Sequence, residues 1–177
     1  MILGSHAIFV KARRFNADCV GTVAGIYHYA GIDITAAFPR YSGNGVSRLY
    51  SFCRDAGVLH AEVRPAPGDL IFWDDTWDRN GDGLWNDPLT HVGMVVDVDP
   101  SGTIEFVHYH YRRGVVKARM NLLRRDEIHG SMEGRTVLIN SPMRMSRSGG
   151  AASGRWLSSH LFRAFGRASI PFRAPAR

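Results

Sequence analysis

The stretch His91-Val-Gly-Met-Val-Val-Asp-Val-Asp-Pro-Ser-Gly-Thr-Ile-Glu-Phe-Val-His-Tyr-His110 decides how the chain is read. Two runs rich in β-branched and aromatic residues flank Asp-Pro-Ser-Gly, so the segment predicts an antiparallel hairpin. With a turn of two or four residues around Asp99–Gly102, Gly93 faces His108 and His91 faces His110. Opposed residues share a face, so His91 and His108 become diagonal neighbours roughly 7–8 Å apart, within reach of two imidazoles. A three-residue turn would break that parity. His110 competes with His108 for the same place, whereas alternation turns Glu105 to the other face.

The pattern is β-rich on both sides of this hairpin. Asp69–Trp73, "DLIFW", reads as a strand after the stiff turn "RPAPGD", and a polar Asp/Asn/Gly loop separates it from His91. "GVVKARMNL" and "RTVLIN" continue the strand pattern downstream. Upstream the period is helical. Asp18 or Asn16 can cap a helix running to about Ala30, with Gly31 as its stop. A second helix spans roughly Val46 to Asp55 and ends at Gly57; its Val46, Leu49, Tyr50 and Cys53 fall on one inner face, which reads Cys53 as core packing. Helices followed by an antiparallel meander predict an α+β domain, with N-terminal helices packed on an antiparallel sheet.

Composition excludes several classes. The 177 residues, 45% apolar and 21% charged, suit one ordinary globular domain rather than a disordered or fibrous chain. No run of about 18 apolar residues predicts a transmembrane helix. The start, "MILGSHAIFVKARRF", lacks the basic then apolar pattern of a signal peptide. Two cysteines without a CxxC or Cys/His cluster give no zinc site.

Charge is uneven. Seven arginines and no acid follow Pro142, against a whole-chain charge of +6, so residues 1–142 sum to −1. The expected division is therefore residues 1–142 as the main domain and 143–177 as a basic appendage. Within the appendage, "SRSGGAASG" reads as a linker, Trp156, Leu157, Leu161, Phe162 and Phe165 as an amphipathic helix, and the end as a disordered tail. A basic tail suits any polyanion, but no aromatic platform or reader motif accompanies it, so no nucleic-acid partner is expected.

Cys19 opens the first helix. A helix N-terminus favours thiolate over thiol, and a thiol with an imidazole base and a group orienting that base makes a nucleophile. The alternative is a small apolar residue on an amphipathic helix. Asp18 beside it reads as a helix cap rather than a catalytic acid.

A second constellation lies in "DRNGDGLWND". Asp78, Asn80 and Asp82 follow the D-x-N-x-D-G pattern, and Asp87 at the tenth position can close a structural calcium site. An EF-hand would instead place a glutamate at the twelfth position, which here is Leu89. The bland reading is a solvated acidic turn.

The blocks Asp18-Cys19 with Gly21, "PGDLIFW", "HVGMV" and "FVHYH…GV", in this order over about Phe15 to Leu122, resemble the NlpC-type cell-wall peptidases. The resemblance implies a circularly permuted papain-like fold, with Cys19 as nucleophile, His91 as general base and His108 as the residue orienting that base. It further implies a peptidoglycan stem-peptide substrate cut between D-γ-glutamate and the diamino acid, and a cell-envelope or secreted location. No cofactor is required for the chemistry, and a monomer is expected. Two features depart from the family: Val20 replaces the usual serine, and the aromatic–Trp–Gly–Gly block upstream is missing. A CHAP-like amidase, in which Glu105 could orient His91, or an acyl-lipid hydrolase on the same scaffold are the neighbouring readings. A non-catalytic wall-binding module and a toxin delivered to competitors are the readings of another class.

Overall fold

A computed structural model describes residues 3–145 and 154–167. Over these described residues the fold is α+β: two α-helices and a six-stranded antiparallel sheet, with two small hairpins beside it. The first hairpin, β1 (Ile8–Val10) and β2 (Arg13–Phe15), turns through Lys11 and Ala12, both at positive φ. Helix α1 (Cys19–Tyr29) follows, capped by Asp18. After a 3-10 turn at Phe38–Arg40 comes α2 (Gly45–Asp55), capped by Asn44, whose side chain accepts from the Ser47 N–H at 2.8 Å.

Strands β3 (Leu59–His60), β4 (Leu70–Trp73), β5 (His91–Val98), β6 (Ile104–His110) and β7 (Gly114–Met120) form the sheet together with β10 (Phe162–Gly166). The order across it is β3-β10-β4-β5-β6-β7. The remaining hairpin pairs β8 (His129–Met132) with β9 (Arg135–Leu138).

Alternation along β4 divides the core. Leu70 and Phe72 pack with Val92 beneath α1 and α2, where Val23, Leu49 and Cys53 close the layer. Ile71 and Trp73 face the other way, against Val95, Phe106, Met120 and Phe165. All of these side chains are fully withdrawn from water, so burial on both faces of the central strands holds the fold together. Cys53 is core, as its spacing predicts, and its sulfur lies so close to Gly166 that a Cβ there would come within 2.9 Å.

The amphipathic helix expected over Trp156–Phe165 is not formed. Residues 157–161 make a turn, and 162–166 make β10, which enters the sheet between β3 and β4. Five apolar residues at mixed spacing suit a turn leading into a buried strand as well as a helix, and two open strand edges decide the matter. The folded unit therefore extends past residue 142 to at least 167. The linker expected at 146–154 falls almost wholly outside the described residues, as does the tail after 167.

The arginines assigned to a basic appendage are also partly spent on the domain. Arg163 pairs with Asp74 at 2.8 Å and Arg167 with Glu62. Arg144 is buried, donates to the Asp75 carbonyl, and stacks 3.7 Å from the ring centre of Trp85.

Candidate active site

Asp18 ends an extended segment, and its Oδ1 accepts from the Gly21 N–H at 2.7 Å. That is a helix cap, and it makes Cys19 the first residue of α1. Gly21 is required there: a Cβ would come within 1.9 Å of the Asn16 carbonyl oxygen, which wraps over the first turn. The two helix starts abut as well, since a Cβ on Gly45 would lie 3.0 Å from Val20. Val20 is thus part of the wall between α1 and α2.

His91 is the first residue of β5 and pairs with Trp73 on β4. The Trp73 indole donates to the Ser158 carbonyl at 2.8 Å, which fixes the ring against which His91 rests, 5.9 Å between centres. Gly93 leaves room for that ring: a Cβ there would come within 3.1 Å of it and within 2.9 Å of the Val107 carbonyl.

His91 Nε2 and His108 Nδ1 lie 3.0 Å apart, with the rings nearly perpendicular. His108 is buried and packs on Phe106. The competitors go elsewhere. Glu105 accepts from Lys117 at 2.6 Å. His110 turns its Nδ1 to the backbone N–H groups of Arg112 and Arg113, at 3.2 and 3.3 Å.

Both histidines belong to the sheet face opposite the helices, yet they share one cleft of about 740 Å³ with Cys19. The cleft opens where α1 and β5 begin, so the helix start and the strand start meet at one end of the sheet.

Electrostatics set the resting protonation. The Cys19 thiol is pushed up to about 12, first by burial and then by the Asp18 charge; backbone hydrogen bonds at Val92, Val20 and Cys19 itself pull the other way but do not prevail. The helix start alone would favour thiolate, so desolvation and a capping carboxylate reverse the expected direction. His91 is lowered to about 4 by burial and by the charge of His110. His108 is held well below its ordinary range by burial, then by His91, His110 and Arg113. The group therefore rests as a thiol and two neutral imidazoles. With its proton on Nε2, His91 donates to His108 Nδ1 and keeps a lone pair on Nδ1, the tautomer a base needs. A proton taken up at Nδ1 would make an imidazolium that the same bond to His108 stabilises.

The loop at 78–87 closes on itself. Asp78 accepts from the Gly81 and Gly83 N–H groups at 2.7 and 2.9 Å. Asn80 and Asp82 bond each other, and Asp82 also accepts from Leu84 and Asn86. Asp87, buried, accepts from the Arg79 N–H at 2.9 Å. Among the described residues no three His, Cys, Asp or Glu side chains converge on one point.

Sequence reasoning missed several walls of the cleft: Thr76, Tyr109, Tyr111, Arg113 and Arg144. Arg113 sits in "RRG", a stretch that reads only as a turn, and Arg144 is masked by the basic composition around it. No protein-family model, curated protein or solved structure matches the chain.

Proposed function

We propose that the chain is a cysteine peptidase of the NlpC type on a papain-like fold, acting through an acyl-enzyme on Cys19. The observation that supports this best is the 3.0 Å contact between His91 Nε2 and His108 Nδ1 in the cleft that also holds Cys19. In this reading His91 Nδ1 takes the thiol proton as the sulfur attacks an amide carbonyl. Backbone N–H groups at the start of α1 stabilise the oxyanion, and His91 returns the proton to the leaving amine. Water then resolves the acyl-enzyme by the same route. No cofactor takes part.

The substrate, a peptidoglycan stem peptide cut after D-γ-glutamate, and an envelope or extracellular place of action follow from the resemblance of the four blocks. The test is mass spectrometry of defined muropeptides incubated with the wild type and with Cys19→Ala. New fragments ending in D-γ-glutamate, absent with the variant, support the peptidase. Cleavage at the lactyl–alanine bond would instead make it an amidase. No cleavage of either bond would leave the acyl-lipid or wall-binding readings.

A calcium ion at 78–87 would be structural. Asp78, Asn80, Asp82 and Asp87 offer the oxygen donors calcium takes, but an ion would have to draw them from the N–H groups they now serve. Isothermal titration of the folded protein decides it: binding heat would assign the ion, and its lack would leave a self-capped turn.

A further inference from the structure

We infer that Asp74 is a positioning residue for His91: its carboxylate holds Leu89 in a left-handed conformation, and that bend sets the angle at which the chain enters β5 and delivers the imidazole to the cleft. That His91 acts as a base rests on the peptidase reading above; how it is held does not.

Backbone strain lies two residues ahead of His91. Leu89 has φ +53, a conformation in which the Cβ crowds the following carbonyl and which glycine or asparagine adopts far more readily. The bend is gripped from both sides. The Leu89 N–H donates to Asp74 Oδ1 at 2.7 Å, and its carbonyl accepts from the side-chain amide of Asn44, the cap of α2, at 3.4 Å. The leucine side chain packs on the core layer beneath the helices, which a glycine could not do.

From Leu89 each step to His91 is fixed. Thr90 is buried and donates its N–H to the Trp73 carbonyl at 3.0 Å. Its hydroxyl meets the Thr76 N–H and the Thr76 hydroxyl, both at 2.9 Å. His91 then pairs with Trp73. Asp74 follows Trp73 directly, so the residue that faces His91 and the carboxylate that bends its approach are neighbours in the chain. Asp74 is anchored in turn. Its Oδ2 accepts from Arg163 on β10 at 2.8 Å, and its N–H donates to the Leu161 carbonyl at 3.0 Å. Asp75 is left-handed as well, at φ +52, and binds Asp87 twice: N–H to carbonyl at 2.8 Å and carboxylate to N–H at 2.9 Å. Asn44, Thr76 and Thr90 all line the cleft. Entry into a sheet alone does not call for a strained leucine. Strain kept beside a reacting group, by partners that over-determine it, pre-organises that group.

Two measurements test this. The first reads the ring and needs no substrate. With its Nε2 proton in the bond to His108 Nδ1, His91 gives the signature of one fixed tautomer in proton–nitrogen NMR of the imidazoles. Asp74→Ala should turn that signature into an average over both tautomers, while His60, bonded to Asp69 at 3.1 Å, keeps its own and reports an intact sheet. Asp74→Asn retains an acceptor for the Leu89 N–H and loses the ion pair, so it should keep the fixed tautomer, as should Arg163→Gln. Asp74→Glu keeps the charge for Arg163 but moves the acceptor by one methylene; it should average the tautomer too, and it serves if the alanine variant does not fold. A fixed tautomer in Asp74→Ala or, should that variant not fold, in Asp74→Glu overturns the inference. So does averaging in Arg163→Gln, which would assign the effect to the ion pair.

The second is turnover of defined muropeptides. Asp74→Ala should lower kcat about thirtyfold and leave KM within about twofold, with Asp74→Asn back to within about threefold of the wild type. A change confined to KM, or no rescue by asparagine, overturns the inference. An averaged tautomer in Asp74→Ala, with no cleavage by the wild type, sinks the peptidase reading and keeps Asp74 as the residue that seats His91.

Discussion

His108 reaches His91 because two irregularities in their hairpin cancel. The strands are joined by five residues, 99–103, and Val98 pairs with Ile104. Continued evenly, that register would place His108 on the face of Val92 and Met94, away from His91. One extra residue in β5, between Val95 and Asp97, restores the parity, so that Val95 meets Phe106 and Met94 meets Val107.

The bond this creates should be felt in turnover. His108→Ala removes the acceptor at His91 Nε2, and we expect kcat to drop roughly a hundredfold, with His108→Gln recovering part of it. Muropeptide turnover measured beside a melting curve separates this from lost stability. Equal kcat in wild type and His108→Ala would remove His108 from the mechanism.

The same burial makes the fold sensitive to acid. His91 and His108 both protonate less readily in the folded chain than an ordinary histidine near 6.5. Unfolding then takes up protons, so stability is complete above pH 6.5 and falls as pH drops towards 4. His91 contributes up to about 3 kcal/mol of that loss. At the other extreme, the Cys19 and Cys53 thiols, both pushed up to about 12, cost stability as pH rises from 9 towards 12. Urea midpoints at pH 7.5 and 4.5 check the acid side; identical midpoints would refute it, and His108→Asn should flatten the difference.

Gly21→Ala should loosen the start of α1. The new methyl has the Asn16 carbonyl 1.9 Å away, so the backbone must shift, at a cost of about 2–3 kcal/mol. Calorimetry reads the cost. A variant melting with the wild type would mean that the turn before Asp18 yields freely.

Truncation checks the extent of the folded unit. A chain ending at residue 142 loses β10 and buried Leu157, Leu161 and Phe165. We expect it to lack a cooperative melt, whereas a chain ending at 167 should retain one. Circular dichroism with size-exclusion chromatography decides; a cooperative 1–142 fragment would show that the sheet closes without β10.

Much of this was legible in the sequence, because strong local signals agreed with the tertiary fold. Asp18, Gly31 and Gly57 marked the helix ends, and the β-branched runs marked β4 to β7. That the α1 start shares a cleft with His91 and His108 was an expectation from the resemblance, with which the order of elements agreed. Elsewhere tertiary context prevailed. The β1–β2 hairpin turns through Lys11 and Ala12, which carry no turn signature, and β8 lies in "HGSM", which has no strand propensity. Trp156 to Phe165 could not be read as strand without knowing that β3 and β4 leave a gap. The protonation of Cys19 was equally hidden, since a helix start and a buried capping environment push it in opposite directions.

The gap between β3 and β4 also bears on how the protein is made. During synthesis Cys19, His91 and His108 have all left the ribosome well before residues 157–166 appear. Trp73, the ring that seats His91, donates its hydrogen bond to the Ser158 carbonyl, and the edge of β4 awaits β10. Pairing over so long a separation is slow. A nascent chain therefore carries Cys19, His91 and His108 before the strand and the carbonyl that fix the seat of His91, and the cleft they share is complete only when nearly all of the described chain has been made.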